Sequence, residues 1–330
     1  MDNQKLVYTP APHLKSDTTV SKAMRDVIIA LIPVCLVAIY FFQMYAIFTI
    51  AVCLVTAAVT ELIFRKVMNK KPSLHDGSAL LTGLLVALCF TATTAWWMSA
   101  LATFIAVGIA KELMGGLGWN RFNPALFGRV AVIIFAPWFV PLGVGFQSWN
   151  VGFGPVDIMT YATPLAMLQR GMEMPGLAQL FFAYPGGALS EVSPFALLLG
   201  AGYLFYRGHI NWRAPVAILA SVFVLTLVTG NNPMLHLLTG GLFLGAFFMA
   251  TDWVTAPITD KGKWIFGIAI GVLIVVFRVG LAPTEGVAFS ILIMNAFVPM
   301  IDRATRRPSF SEPKLKRAVR LPAEEQTAKG

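Results

Sequence analysis

The chain has 330 residues, of which 57% are hydrophobic and 12% are charged, and its mean hydropathy is +0.72. About a quarter of the residues of an ordinary soluble domain are charged, so this composition excludes one. A formal net charge of +9 would suit a nucleic-acid partner, but the basic residues flank apolar runs, which indicates a membrane protein instead.

Apolar runs of roughly the 20-residue length that crosses a bilayer recur along almost the whole chain. The first 23 residues are polar and no signal-peptide cleavage site follows them, so the first run is expected to remain in the membrane. The sequence predicts a first set of five spans at 26–42, 45–64, 78–90, 96–110 and 122–140, and a second set at 194–206, 214–229, 234–250, 264–280 and 287–301.

These spans divide the chain into five parts. The predicted parts are an N-terminal cytoplasmic segment (1–23), a first five-helix repeat (24–140), a long extracytoplasmic loop (141–193), a second five-helix repeat (194–301) and a basic cytoplasmic tail (302–330). Prolines break the tail, which is expected to contact lipid head groups or a cytoplasmic partner and no nucleic acid.

The basic residues support this topology. With both termini in the cytoplasm, all of the 25 Lys and Arg residues except Arg170 and Arg278 fall on cytoplasmic segments or at their edges. Because short cytoplasmic loops carry an excess of Lys and Arg, a wrong number of spans would have scattered these residues over both sides. The prediction is a multi-pass protein of the bacterial inner membrane.

An internal repeat accompanies the two sets of spans. The sequence Leu-Leu-Thr-Gly occurs at 80–83 in the third span and at 237–240 in the eighth, and Asn123 and Asn295 occupy matching positions near the ends of the sets. Since five is odd, the second set must run through the membrane in the opposite direction. The predicted fold is therefore an all-α polytopic membrane protein of about ten transmembrane helices in two inverted five-helix repeats.

Two glycine patterns have structural interpretations. Residues 115–118, Gly-Gly-Leu-Gly, predict a helix break at membrane depth, which is tolerated where protein or a cavity satisfies the freed backbone groups. The spacings Gly241 to Gly245 and Gly267 to Gly271 predict close helix packing.

The sequence predicts no catalytic residue and no metal site. Cys35, Cys53 and Cys89 lie inside apolar runs, without the spacing that an iron–sulfur cluster requires, and are expected to be small buried hydrophobic residues. The four histidines are scattered along the chain.

Ionisable residues are expected at the ends of the spans, where their charged groups would reach water. The sequence therefore predicts no buried-carboxylate proton relay within this chain, and any ion path would use hydroxyls, Asn123, Asn295 and freed carbonyls, or a neighbouring subunit. The residues concerned are Glu61, Lys111, Glu112, Asp252 and Arg278.

The predicted extracytoplasmic loop contains Asp-Ile-Met-Thr-Tyr-Ala-Thr-Pro-Leu at 157–165. By itself this pattern also suits an ordinary loop that ends at a proline. The stretch resembles the flavinylation motif of the RnfD/NqrB family, in which an acidic residue precedes Ser/Thr-x-Ala-Thr and the final threonine carries FMN through a phosphoester bond. The resemblance implies a covalent FMN on Thr163, attached by a flavin transferase, with Asp157, Thr160 and Ala162 as the rest of the motif. Tyr161 stands where the family more often has a small residue.

The resemblance extends over most of the chain, through the blocks at 115–125, 249–257 and 285–302. It implies a membrane subunit of an ion-translocating ferredoxin:NAD oxidoreductase, which couples electron transfer to Na⁺ or H⁺ movement and is not catalytic alone. The implied partners are an NADH-binding flavoprotein, iron–sulfur subunits, small membrane subunits and a second covalent-FMN subunit. Some members also hold a non-covalent riboflavin. The short N-terminal segment favours the RnfD branch.

Two other functions fit the same sequence. One is a secondary transporter or channel that is built from inverted repeats and has no redox role, and the other is an assembly scaffold that has lost its flavin. A covalent flavin would distinguish the redox subunit described above from both alternatives.

Overall fold

A computed structural model describes residues 19–71, 73–139, 164–169, 172, 174–280 and 285–306, and no β-strand is formed within these ranges. The predicted flavinylation residues Asp157, Thr160, Ala162 and Thr163 lie outside the described residues. The helices are α1 Val20–Val67, α2 Ser78–Cys89, α3 Trp96–Phe104, α4 Pro124–Phe139, α5 Pro164–Gln169, α6 Leu177–Phe182, α7 Pro194–Tyr206, α8 Arg213–Val228, α9 Pro233–Leu238, α10 Leu242–Leu244, α11 Asp260–Gly280 and α12 Gly286–Thr305.

Two π-helical segments extend this set of helices. Ile105–Leu113 continues α3, and Gly245–Met249 continues α10. In the described residues, four helices are long and apolar enough to cross a membrane: Val20–Val67, Trp96–Leu113, Asp260–Gly280 and Gly286–Thr305. Shorter apolar helices are Ser78–Cys89, Pro124–Phe135, Pro194–Tyr206 and Arg213–Val228.

Helix α1 contains the first two predicted spans. A straight helix of 48 residues would be roughly 70 Å long, more than twice the roughly 30 Å of a bilayer core. The backbone breaks at Gln43, which has φ 48° and ψ −128°, between the predicted spans 26–42 and 45–64. A Cβ placed on Gly77, beyond the end of α1, would lie 3.8 Å from Met24 Cβ near its start. The start of α2 therefore lies beside the start of α1, as expected if the chain reverses direction within α1.

The eighth predicted span, 234–250, is not one continuous helix but is interrupted by a break. Helix α9 ends at Leu238, Thr239 is extended, and α10 begins at Leu242. Gly240 and Gly241 between them have φ values of 70° and 64°, a region that glycine enters without the steric cost of a Cβ. An apolar run of this length does not reveal such a break, because hydropathy does not depend on backbone conformation.

Close helix packing at the glycine pairs is confirmed for α11. A Cβ on Gly267 would lie 2.6 Å from Ala217 Cβ, and one on Gly271 would lie 2.5 Å from Ser221 Cβ, both on α8. Gly245 is similarly close to Val287 of α12, whereas Gly241 forms part of the helix break instead. Small residues therefore bring these helices into direct backbone proximity.

Candidate functional site

A cavity of about 320 Å³ lies between helices of the first and second predicted sets. Helices α1, α2 and the start of α4 line it from the first set, and the end of α7 and the residues 247–248 and 251–254 line it from the second. Its walls are mainly apolar, and we call it the large cavity, although a third pocket, at the start of α11 and the end of α12, has about 440 Å³. The polar side chains that line it are Ser78, Thr82, Lys111, Asn120, Asn123, His209, Thr251 and Asp252.

The asparagines predicted from the repeat meet beside this cavity. Asn123 Oδ1 accepts from the N–H groups of Ala125 (3.1 Å) and Leu126 (3.3 Å), which satisfies the free donors at the start of α4. Its Nδ2 donates to Met249 O at 3.2 Å, at the end of the second π-helical segment. With the Asn295 amide oriented to satisfy both of its polar atoms, its oxygen accepts from Asn123 N–H at 3.0 Å. This network joins α4 to α12.

Asp252 presents a carboxyl group at the same cavity. Its oxygens accept from Val254 N–H (3.4 Å) and from the Thr255 hydroxyl (3.1 Å). Burial raises the pKa of Asp252 above its ordinary value, although these hydrogen bonds oppose the shift. Asp252 is only partly buried, so it can face a ligand in the cavity.

A second polar network near the cavity connects α1 to the end of α7, and the sequence analysis missed it. Asp26 Oδ2 lies 2.7 Å from His209 Nε2 and accepts from Arg207 Nη2 at 2.8 Å. The Tyr203 hydroxyl donates to Asp26 Oδ1 at 3.1 Å. A carboxylate at the start of an apolar span was a visible signal for such a network, but its partners are more than 170 positions away in the chain.

A buried charge cluster borders the cavity on the side of Lys111. Lys111 Nζ donates to Ser78 Oγ at 2.7 Å and lies 3.2 Å from Glu61 Oε2. Arg65 Nε lies 3.4 Å from Glu61 Oε1 and 3.2 Å from Glu112 Oε2. The side chains of Glu61 and Glu112 are 0% exposed and that of Lys111 is 2% exposed. Two carboxylates thus face two cations, which offsets the cost of burial.

The expectation that these charges reach water at span ends was wrong. The glycine-rich loop covers them: Lys70 Nζ donates to Gly115 O at 3.4 Å, and a Cβ on Gly116 would lie 3.5 Å from Arg65 Nη2. The predicted break at 115–118 is confirmed, with positive φ at Gly115, Gly116 and Gly118. The loop folds back over the ends of these helices, so the charged side chains there do not reach water.

A smaller cavity, of about 30 Å³, lies near the break between α9 and α10. Glu285 at the start of α12 accepts from Arg129 Nε (2.8 Å) and Nη2 (2.7 Å), a bidentate pair. Arg278 is only 4% exposed, again contrary to the expectation of a span-end residue, and it donates to the carbonyls of residues 236, 239 and 240 at the end of α9. Glu191 also lines this small cavity.

The remaining predicted sites are the three cysteines and the flavinylation motif. Cys53 and Cys89 are buried, as predicted, and Cys35 is partly buried; all three are free thiols. The covalent-FMN residue Thr163 stays a prediction, but the described chain resumes at the next residue. Leu165 is 2% exposed and its Cδ2 would lie 3.3 Å from a Cβ on Gly240, so the residues after the motif pack against the helix break.

Comparison with known proteins gives one consistent result. The profile of the NQR2, RnfD, RnfE family matches residues 7–311. The chain is 35% identical over 324 residues to a subunit of the Na(+)-translocating ferredoxin:NAD(+) oxidoreductase complex of Acetobacterium woodii, covering 97% of this chain and 100% of the relative. It is 38% identical over 331 residues to a subunit of the proton-translocating ferredoxin:NAD(+) oxidoreductase complex of Clostridium ljungdahlii, covering 93% and 97%. A subunit of the ion-translocating oxidoreductase complex of Aliivibrio salmonicida is 33% identical over 348 residues, covering 93% and 98%.

Proposed function

Because the chain belongs to the NQR2, RnfD, RnfE family, we propose that it is the flavin-carrying, RnfD-type membrane subunit of an ion-translocating ferredoxin:NAD⁺ oxidoreductase complex. In this role it couples electron transfer between ferredoxin and NAD to the translocation of Na⁺ or H⁺, and it is not catalytic alone. The observation that carries the proposal is similarity along nearly the whole chain to relatives named for such a complex. Those relatives are named for different ions, so the coupling ion stays open.

The proposed topology has ten transmembrane helices in two inverted five-helix repeats, in the bacterial inner membrane and with both termini cytoplasmic. The break at Gln43 supports it, because it divides α1 into two spans. The short helix α2 and the broken pair α9 and α10, which occupy the same rank in their sets, are consistent with it. The loop 141–193 would then face the extracytoplasmic side, where a flavin transferase acts.

The proposed cofactors are a covalent FMN on Thr163 and a non-covalent riboflavin. The properties of the large cavity are compatible with a flavin. Its volume of about 320 Å³ falls within the roughly 300–1,000 Å³ of small-molecule sites, and its apolar walls carry a few polar groups that converge on the space. Asn120, Asn123 and Asp252 would hold the ring edge by hydrogen bonds, and Phe247 and Phe248 would exclude water. A bound flavin supplies one- and two-electron redox chemistry, while the protein fixes its position and its electrostatic surroundings.

Electrons must reach this subunit from partners. The proposed partners are an NADH-binding flavoprotein, iron–sulfur subunits, small membrane subunits and a second subunit with covalent FMN.

The test of this proposal is in-gel flavin fluorescence after denaturing electrophoresis of the full chain, expressed with its flavin transferase. We expect a fluorescent band that is lost in Thr163→Ala and only weakened in the matched variant Thr160→Ala. A band that survives Thr163→Ala contradicts the attachment site. If the wild-type chain gives no fluorescent band, the transporter and scaffold hypotheses gain support instead.

A further inference from the structure

The carboxyl group of Glu191 borders the small cavity and lacks a complete set of partners. Its Oε2 atom is buried from solvent and accepts no hydrogen bond from the described residues. The backbone N–H of Gly240 donates to the carboxyl group. A buried carboxylate oxygen without a donor is costly in its charged form, because it has lost its contact with water.

The neighbouring cations are already committed to other groups. Arg129 forms a bidentate pair with Glu285 and also donates to Cys89 O. Arg278 donates to three carbonyl groups at the end of α9. Among the described residues, Glu191 forms no ion pair within 4.0 Å, whereas Glu285 has both oxygens paired.

The groups that face Glu191 come from every helix packed around it. Arg129 on α4 and Arg278 on α11 favour its charged form, and Glu285 at the start of α12 favours its neutral form. Cys89 at the end of α2 lines the same cavity, and His236 on α9 interacts electrostatically with Arg278. Burial is the largest influence and raises the pKa of Glu191 above its ordinary value.

The small cavity gives this carboxyl group access to a water molecule. Its volume of about 30 Å³ exceeds the roughly 10–15 Å³ that a water requires. It is lined by residues of both helix sets, including Arg129, Gly241 and Glu285. Polar groups that converge on such a space provide the two to four partners that hold a buried water.

We propose that Glu191 is a proton-binding site, which exchanges its proton with water in the small cavity. The carboxylate takes one proton from a hydronium ion, which leaves a water molecule in the small cavity, and becomes a neutral carboxylic acid. The reverse step returns the proton to that water, so no electron donor or acceptor is involved. This goes beyond the proposed function, which assigns no protonatable residue. It also revises the expectation that the chain contains no buried carboxylate able to carry a proton.

The experiment compares two carboxyl groups within one molecule. The full-length protein in detergent is treated with dicyclohexylcarbodiimide, an apolar reagent that attacks protonated carboxyl groups, at several pH values on either side of neutrality. Peptide mass spectrometry then measures the labelled fraction at Glu191 and at Glu285. We expect labelling near neutral pH to be about tenfold higher at Glu191, whose Oε2 accepts no hydrogen bond from the described residues, than at Glu285, whose oxygens both pair with Arg129. Labelling of Glu191 should fall as the pH rises.

A second measurement does not depend on access of the reagent. The infrared C=O band of protonated carboxylic acids is recorded at neutral pH for the wild-type protein and for Glu191→Gln. We expect this band to be weaker in the variant. Equal labelling at both positions, or an unchanged infrared band, overturns the proposal. Protection of Glu191 from labelling by sodium chloride, but not by choline chloride at equal ionic strength, also overturns it, because a metal cation would then be the ligand.

Discussion

The two cavities lie along the same boundary between helices, but they differ in size and in charge. The large cavity has about 320 Å³ and mainly apolar walls, whereas the small cavity has about 30 Å³ and is lined by Arg129, Glu191 and Glu285. Both use the second π-helical segment: Phe247 and Phe248 line the large cavity, and Gly245 and Met249 line the small one. One end of the boundary is therefore suited to an organic ligand, and the other to a water or a proton.

This difference shows how a membrane protein accommodates charge. At the small cavity the charged groups are held by direct pairing, as in the bidentate contact between Arg129 and Glu285. At the large cavity, Lys111 in the wall is paired with Glu61, which lies behind it. Stability should therefore depend most on the small cavity, and ligand binding most on the large one.

The largest expected effect comes from breaking the charged pair at the small cavity. Arg129→Leu leaves the Glu285 carboxylate without its cation, and we expect the free energy of unfolding to fall by about 3–5 kcal/mol. Denaturant-induced unfolding in detergent measures this loss. The matched control is the double variant Arg129→Leu with Glu285→Leu, which removes both charges and should recover much of the stability. Equal destabilisation of the single and double variants would mean that the pair itself contributes little.

A smaller effect is expected from filling the large cavity. Val27→Phe places a ring in the space proposed for riboflavin, and we expect the retention of non-covalent flavin to fall about tenfold, equivalent to about 1.4 kcal/mol of binding free energy. Chromatography of the flavin released on denaturation measures it. Val224→Phe, the same change at a site on α8 that is 54% exposed, is the control and should have no effect. If both variants retain flavin equally, the cavity is not its site.

The smallest effect is expected from removing the hydrogen bond between Asn123 and Asn295. Asn295→Ala removes the acceptor of Asn123 N–H, and the net loss of such a hydrogen bond is about 1 kcal/mol. Unfolding of this variant is compared with that of Asn231→Ala, an exposed site, for which no change is expected. A loss as large as that of Arg129→Leu would show that the amide network, and not charge pairing, dominates the stability of this boundary.

The covalent attachment of FMN to Thr163 stays a prediction. It rests on the sequence motif alone, because Thr163 lies outside the described residues. The structure describes the two residues that follow Thr163, and the second of them, Leu165, packs against Gly240 at the helix break. The motif is therefore followed directly by a segment that is packed beside the small cavity.

Several features of the molecule follow from the sequence by itself. The apolar runs predicted the helix that contains Gly267 and Gly271, and the spacing of these glycines predicted its close packing. The glycine-rich loop at 115–118 was predicted as a break. The resemblance identified the family, which the whole-length match to known relatives confirms. These features are local, because they depend on side-chain polarity and backbone freedom over one or a few turns.

Only the tertiary structure decided which polar groups meet. Arg129 and Glu285 are separated by 156 positions, and Glu61 and Lys111 by 50, so no local pattern pairs them. The break between α9 and α10 likewise escaped the hydropathy pattern, because hydropathy does not depend on backbone conformation. Hydropathy is a sum along the chain and places a residue in or near the membrane. Whether its charge is then solvated, paired or left unpartnered depends on which helices become neighbours. For Glu191, that arrangement leaves one carboxyl oxygen without a donor among the described residues.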